Sequence, residues 1–159
     1  PSPLLWSYQN DEVKSFGMTP GLITNYNGAE SITYNGKSYI AFGLRTSSVN
    51  SIYEFDFKLN EYHLIETALT TPKNRYATSS VLYNHYWYFF GGFNEDDKEL
   101  KDIVILNMEK FQWKIHYDTL SFPRSGHSSV IHLDQAILFG GKNNTHVANT
   151  IEYFSFKNS

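Results

Sequence analysis

Six histidines are the residues of this chain that are best suited to metal binding or acid–base chemistry. They are His63, His85, His116, His127, His132 and His146. His127 and His132 lie five residues apart in one predicted strand, so their side chains face opposite sides of the sheet. That geometry does not suit chelation of one ion, and we predict no metal ligand among the histidines.

An acidic run, Glu95-Asp96-Asp97 with Glu99, is the other group of conceivable metal ligands. It lacks the spaced oxygen ligands and the central glycine of a calcium-binding loop, so we expect a solvated loop. No Gly-x-Ser-x-Gly, His-Glu-x-x-His or phosphate-binding loop occurs. The sequence therefore predicts no catalytic residue, no metal and no cofactor.

The composition argues against several classes of partner. The 159 residues include 13 basic and 16 acidic side chains, a net charge of −3, which favours neither nucleic acid nor an anionic membrane surface. No stretch has the length and apolarity of a membrane span. The chain opens with Pro1 and not with Met, which predicts a processed protein or a fragment.

The absence of cysteine excludes disulfides and cysteine-ligated metal sites. It suits a reducing compartment, and slightly favours the cytoplasm, without excluding secretion. One glycosylation sequon is present, at Asn143-Asn144-Thr145, and would be used only in the secretory pathway. The sequence therefore does not decide between the cytoplasm and the secretory pathway.

Two stretches of the chain share one pattern. Arg124 to Gly141 holds an arginine, two strand-like runs and a closing glycine pair, and Arg75 to Gly92 repeats this plan 49 residues earlier. Gly43 lies a further 49 residues upstream of Gly92 and marks a weaker copy. A period near 50 residues indicates a repeat architecture.

Aromatic residues make up 17% of the chain and favour strands over helices. Polar turns separate the strand-like runs; Asn35-Gly36 is the strongest hairpin signal, and Asp134-Gln135 is a further predicted turn. The predicted strands are Ser31–Tyr34, Ser38–Phe42, Ser51–Phe57, Tyr62–Glu66, Thr78–Tyr83, Tyr86–Phe90, Asp102–Asn107, Gln112–His116, Ser128–Leu133, Ala136–Phe139 and Asn149–Phe156. We expect almost no α-helix.

The chain divides into four segments on this basis. Residues 1–28 hold a strand around Trp6 and an irregular lead-in, and residues 29–74 form a degenerate first unit. Residues 75–123 form the second unit, and residues 124–159 form a third unit without a fourth strand.

These units resemble kelch repeats over roughly Ala29 to Phe156. That family's pattern is a first strand with an Arg-x-Gly-His-like opening, a second strand ending in Gly-Gly and a Trp at the start of the fourth. The third unit matches it at Arg124, Gly126, His127, Gly140 and Gly141. The second unit matches it at Arg75, Gly91, Gly92 and Trp113, with Tyr76-Ala77-Thr78 replacing the Gly-His part. The first unit departs most, with Gly43 alone, Tyr26 at the arginine position and no Trp.

The resemblance implies an all-β chain, a partial kelch-type β-propeller of about three four-stranded antiparallel blades. It implies structural roles for the glycines, for Trp113 between blades and for His127 in hydrogen bonding within its blade. Propellers close with about four to eight blades. The partner is therefore expected to be a protein or further blades, supplied by a longer parent chain, by another chain or by a second copy. The Trp6 strand would complete either the last blade of a ring or a preceding blade.

The resemblance also implies a binding surface on the face that carries the loops after second strands and the connections between blades. Carried over by position, its residues are Arg45, Arg75, Phe93, Asn94, Arg124 and Asn143. For Arg75 and Arg124 the alternative is that they brace the turns between blades, and for Phe93 it is core packing.

The function that follows is a non-enzymatic protein-interaction module. One alternative is a structural protein whose incomplete propeller is completed by self-association or by a partner chain. A second is a sugar-handling enzyme built on a propeller, although the copper oxidases of this type are excluded because they need a cysteine.

Overall fold

The computed structural model describes residues 5–9, 12–16, 27–43, 52–59, 61–67 and 71–158. It begins with an antiparallel hairpin of β1 (Leu5–Gln9) and β2 (Glu12–Phe16). The strand around Trp6 is thus present, but residues 13–16 are a second strand and not part of an irregular lead-in.

Three further sheets follow, each an antiparallel meander. The first blade contains β3 (Glu30–Tyr34), β4 (Lys37–Ala41), β5 (Ile52–Asp56) and β6 (Glu61–Ile65). The second blade contains β7 (Ser79–Tyr83), β8 (Tyr86–Phe90), β9 (Ile103–Asn107) and β10 (Gln112–His116). The third blade contains β11 (Ser128–His132), β12 (Gln135–Phe139) and β13 (Ile151–Ser155).

This arrangement confirms the predicted all-β, partial kelch-type propeller and the three-stranded last blade. The only helical element among the described residues is a single 3₁₀ turn, Phe156–Asn158. None of the described elements is a helix long and apolar enough to cross a bilayer.

The turns between first and second strands are tight. Asn35 and Gly36 both adopt positive φ, 50° and 75°, as a two-residue hairpin with matched twist requires. In the third blade the turn is Leu133-Asp134, one residue earlier than predicted, because His132 pairs with Gln135 in the strand register. Leu133 accordingly has a φ of 54°.

The hydrophobic cores lie between blades. Trp87 and Phe89 of β8 belong to a cluster with Tyr39 and Ala41 of the first blade, while Phe90 faces the third blade. The second strand is therefore buried on both sides, as strands between two layers are. This explains the continuous apolar run that the sequence shows there.

The first strands of neighbouring blades run side by side. The Ser129 hydroxyl donates to the Ser80 carbonyl over 3.2 Å, and the Ser80 hydroxyl donates to the Glu30 carboxylate over 2.5 Å. Burial raises the pKa of Glu30, and the Ser80 hydrogen bond opposes that shift. Polar contacts thus join the three blades along their first strands.

Equivalent backbone hydrogen bonds also join the blades. Gly43 donates from its N–H to the Arg75 carbonyl, and Gly92 donates to the Arg124 carbonyl, each over 2.8 Å. A Cβ on Gly91 would lie 2.5 Å from the Arg124 carbonyl oxygen. The absence of a side chain at these glycines allows the close approach of one blade to the next.

In the described part of the chain, β1 pairs with β2 and no fourth strand lies beside β13. The hairpin therefore does not complete the last blade here. The other expectation, that the Trp6 strand belongs to a preceding blade, stays a prediction.

Candidate functional site

The loops after second strands and the connections between blades meet at one end of the molecule. Tyr76 pairs with Phe93 in an antiparallel bridge, and Ser125 pairs with Lys142 in the same way. We call this surface the loop face. Its described segments are residues 75–78, 91–100, 124–127 and 140–147.

Arg75 lies beneath the loop face with its side chain fully buried. Its guanidinium group donates to both carboxylate oxygens of Asp102, over 2.8 and 2.9 Å, and to the Gly91 carbonyl over 3.0 Å. The planar fork of arginine suits this bidentate geometry. These bonds stay within the second blade and fit the alternative in which Arg75 braces the turns; contact of Arg75 with a partner stays a prediction.

Arg124 occupies the equivalent position in the third blade, and its side chain is also fully buried. It donates to Glu152 over 2.7 Å, and Glu152 also accepts from the amide and hydroxyl of Ser121. Phe122 stacks against the guanidinium, whose central carbon lies 4.1 Å from the ring centroid. Desolvation lowers the pKa of Arg124, and Glu152 opposes the shift. These contacts fit a bracing role for Arg124 too, and its contact with a partner likewise stays a prediction.

Asn94 and Asn143 organise the loops that they begin. The Asn94 amide oxygen accepts from the backbone N–H groups of Asp96 and Lys98, and Asn94 itself is buried. The Asn143 amide oxygen accepts from the N–H groups of Thr145 and His146. Both are Asx-type turns, which position the loops rather than present the asparagine side chains.

Phe93 stacks on Tyr76, with ring centroids 5.2 Å apart and an interplanar angle of 24°. Both rings are half-buried. The Tyr76 hydroxyl donates to Asp97 over 2.5 Å, and this bond, with burial and the Asp97 charge, raises the pKa of Tyr76 to about 12. The pair is thus a fixed aromatic surface at the base of the loop that follows Gly92.

Three further residues that the resemblance singled out are Arg45, Trp113 and Gly141. Arg45 lies outside the described residues. Trp113 packs against Phe42 and Phe89, with ring-centroid distances of 5.4 and 5.8 Å, and so fills space between the first two blades. Gly141 also has a positive φ, and a Cβ there would meet the Ser125 carbonyl at 2.7 Å.

His127 is buried beside the second blade. Desolvation, with repulsion from Arg124, lowers its pKa to about 4, while the Phe90 backbone opposes the shift. Neither ring nitrogen has a hydrogen-bond partner of good geometry in the part of the chain that the structure describes. The predicted hydrogen bond within its own blade is therefore not observed, and His127 serves as a buried neutral ring.

Sequence reasoning did not identify the acidic partners of the arginines. Asp102 follows Arg75 by 27 residues, and Glu152 follows Arg124 by 28, so each acid lies at or next to the third strand. Glu54 in the first blade was missed too, although it accepts from Lys37 and from the Tyr39 hydroxyl. The three acids occupy different positions relative to the third strand, so no fixed spacing marked them in the sequence.

The described residues contain no cluster of three or more His, Asp or Glu side chains that could hold a metal ion. The accessible side chains of the loop face are instead those of the loops themselves. They include exposed Glu95 and Asp96 after the aromatic pair, and exposed Lys142, Thr145 and Val147 in the next loop. This arrangement suits recognition of a surface better than bond-making chemistry.

Comparison with known proteins agrees with this architecture. A family model described as the KLHDC2/KLHL20/DRC7 Kelch-repeats domain matches residues 28–159. Kelch-like protein 40 of Xenopus tropicalis is 29% identical over 86 residues, which is 54% of this chain and 14% of that relative's length. Families of this type are typically protein-interaction modules. With a family model that matches most of its length and three blade-like antiparallel sheets, this chain belongs to the kelch-repeat family.

Proposed function

We propose that this chain is a non-enzymatic interaction module that holds an extended segment of a partner protein on its loop face. The observation that carries the proposal is the stacked Tyr76–Phe93 pair beside the exposed acidic loop. Aromatic rings give a partner apolar contact at low entropic cost, since they are already fixed.

The charge of the loop that follows Gly92 indicates the chemistry of the partner segment. Glu95 and Asp96 are exposed, whereas Asp97 is engaged by the Tyr76 hydroxyl. Complementary charges steer association and fix register, so the segment should carry lysine or arginine next to an apolar residue. Arg75 and Arg124 contribute by holding the loops in place.

The test is selection of a displayed random peptide library on the purified chain. The selected peptides should be enriched in lysine and arginine, and Glu95→Lys with Asp96→Lys should weaken their binding at least tenfold. Phe93→Ala should also weaken it, with the melting temperature measured alongside to detect loss of folding.

Glu109→Lys is the matched control, because Glu109 is an exposed acid in the turn between β9 and β10, at the opposite end of the blade. It should leave binding unchanged. Peptides that bind equally well to the control and to the loop variants would contradict the proposal.

A further inference from the structure

A cavity of about 360 Å³ opens beside the loop face, at the outer part of the second blade. Three segments line it: residues 71–73 of the connection that precedes Arg75, residues 99–102 at the end of the loop that follows Gly92, and residues between 115 and 123, which lead from β10 to the third blade. We call it the connection cavity. The blades that these segments join are all described, so the neighbours of the connection cavity are in place.

The connection cavity has an apolar interior, which is supplied by Leu100, Ile115, Tyr117 and Pro123. Ile115 packs against the hydrophobic core between the first two blades, which fixes its position. Tyr117 is 74% exposed, so an occupant would cover aromatic surface that faces solvent in the free chain. Ligand sites of this size lie at the small end of the usual range, and the volume suits one large side chain.

Most of the charged groups that line the connection cavity already have partners. Arg75 holds Asp102, and Lys101 contacts Asp118 over 3.3 Å. The two charges of each pair offset each other, so these pairs do not select the charge of an occupant.

Two lining residues of opposite charge have no such partner. Neither Lys73 nor Glu99 takes part in an ion pair or a side-chain hydrogen bond in the part of the chain that the structure describes. Lys73 is exposed and Glu99 is half-buried. The connection cavity therefore presents one unpaired ammonium and one unpaired carboxylate beside an apolar interior, and complementary charges on a partner would fix its register.

Glu99 joins the connection cavity to the aromatic pair of the loop face. Its backbone pairs with Phe93 in an antiparallel bridge, and Phe93 pairs with Tyr76 in another. Residues paired in this way have Cα atoms about 4.5–5.5 Å apart. An extended segment rises about 3.3 Å per residue, so a segment that lies on Tyr76 and Phe93 reaches Glu99 within about two residues.

We infer that the connection cavity receives a large apolar side chain of the partner segment, which lies between a basic residue that pairs with Glu99 and an acidic residue that pairs with Lys73. The inference rests on the function proposed for the loop face and extends it, because it assigns a separate pocket to the apolar residue. The acidic loop lies on the Glu99 side, where that function places the basic residues of the segment.

Methyl NMR of the purified 159-residue chain tests the inference, with the capped tripeptide acetyl-Lys-Phe-Glu-amide as the probe. The methyl resonances of Leu100 and Ile115 should shift and saturate with a dissociation constant of about 1 mM. Acetyl-Lys-Ala-Glu-amide should bind about tenfold more weakly, because it cannot bury an aromatic ring. Acetyl-Gln-Phe-Gln-amide should bind about fivefold more weakly, because it forms neither ion pair.

Substitutions at the lining show whether the probe occupies the connection cavity. Thr71→Trp adds a large side chain there and should weaken binding of acetyl-Lys-Phe-Glu-amide about tenfold. Lys110→Trp is the matched control, since Lys110 is exposed in the turn between β9 and β10, at the opposite end of the blade, and it should leave binding unchanged. Glu99→Gln with Lys73→Gln should make the charged and uncharged phenylalanine tripeptides bind equally. The melting temperature of each variant is measured alongside to detect loss of folding.

No methyl shift at about 20 mM tripeptide, equal binding of the phenylalanine and alanine tripeptides, or unchanged binding by Thr71→Trp would each overturn the inference. Failure of the loop-face function gives a different result. If Glu95→Lys with Asp96→Lys weakens binding of the library peptides while Thr71→Trp does not, the function stands and the connection cavity is not its apolar pocket. If the tripeptide binds as expected but Glu95→Lys with Asp96→Lys leaves the library peptides unaffected, the cavity holds an apolar side chain and the function proposed for the acidic loop fails.

Discussion

The guanidinium group of Arg75 donates to both carboxylate oxygens of Asp102, over 2.8 and 2.9 Å, and has no exposed surface. Removing one partner from a buried pair leaves the other charge without compensation, which is far more costly than losing an exposed pair. This geometry favours a framework role for the arginine of the repeat over direct contact with a partner.

Replacing Asp102 with Asn should therefore lower the free energy of unfolding by about 2–4 kcal/mol. Chemical denaturation would measure the change. Lys101→Met is the control, because Lys101 contacts Asp118 over 3.3 Å in an exposed pair, and it should cost less than about 1 kcal/mol. Equal losses in the two variants would refute the framework role.

Gly91 and Gly140 provide a second test, since both have positive φ but differ in their surroundings. The repeat pattern of the sequence predicts that Gly91→Val or Gly140→Val would prevent folding. The structure predicts different costs at the two positions. A Cβ at Gly91 would lie 2.5 Å from the Arg124 carbonyl oxygen, whereas a Cβ at Gly140 would have no heavy atom closer than 4.0 Å. Gly140→Ala should cost about 1–2 kcal/mol from backbone strain alone.

Gly91→Ala should cost about 2 kcal/mol more than Gly140→Ala, because the next blade must also move. Thermal unfolding of the two variants under the same conditions would measure this difference. A larger loss for Gly140→Ala would mean that the close approach of the second and third blades is not the reason for the glycine pair.

His127 makes stability depend on pH. Burial holds the pKa of His127 in the folded chain at about 4, below its ordinary value of 6.5, so the unfolded chain binds more protons between these two pH values. The contribution of neutral His127 to the free energy of unfolding is fully present above pH 6.5 and is lost as the pH falls to 4. It amounts to at most about 3 kcal/mol.

Replacement of His127 by Thr should reduce the change in the free energy of unfolding between pH 6.5 and 4. Threonine is the matched choice, since Thr78 stands at the equivalent position of the second blade and donates to the Phe90 carbonyl over 2.7 Å. Urea unfolding at several pH values would show the effect. An unchanged slope would indicate that the pKa of His127 is the same in the folded and the unfolded chain, which would contradict the prediction.

The sequence predicted the blades well because the signals that define them are local. Asn35-Gly36 needs only its own φ angles to specify a hairpin, and the apolar run Tyr86–Phe90 by itself indicates a strand covered on both sides. Gly43 and Gly92 repeat at the same interval because each makes the same bond to the next blade.

The candidate site was harder to predict because its contacts join residues far apart in the chain. Whether Arg75 faces a partner or Asp102 depends on a side chain 27 residues away, which no local pattern reveals. The stacking of Phe93 on Tyr76 likewise depends on the pairing of two loops. The strand Glu12–Phe16 was missed because its short, mixed sequence carries little period-two signal.

Arg124 acts in two blades at once. Its side chain holds Glu152 in the third blade, while its carbonyl accepts the N–H of Gly92 in the second. Proteins built of stacked repeats gain cooperativity from such nearest-neighbour coupling. Local loosening of the third blade would thus release a hydrogen bond of the second, and the two blades should unfold as a single thermodynamic unit.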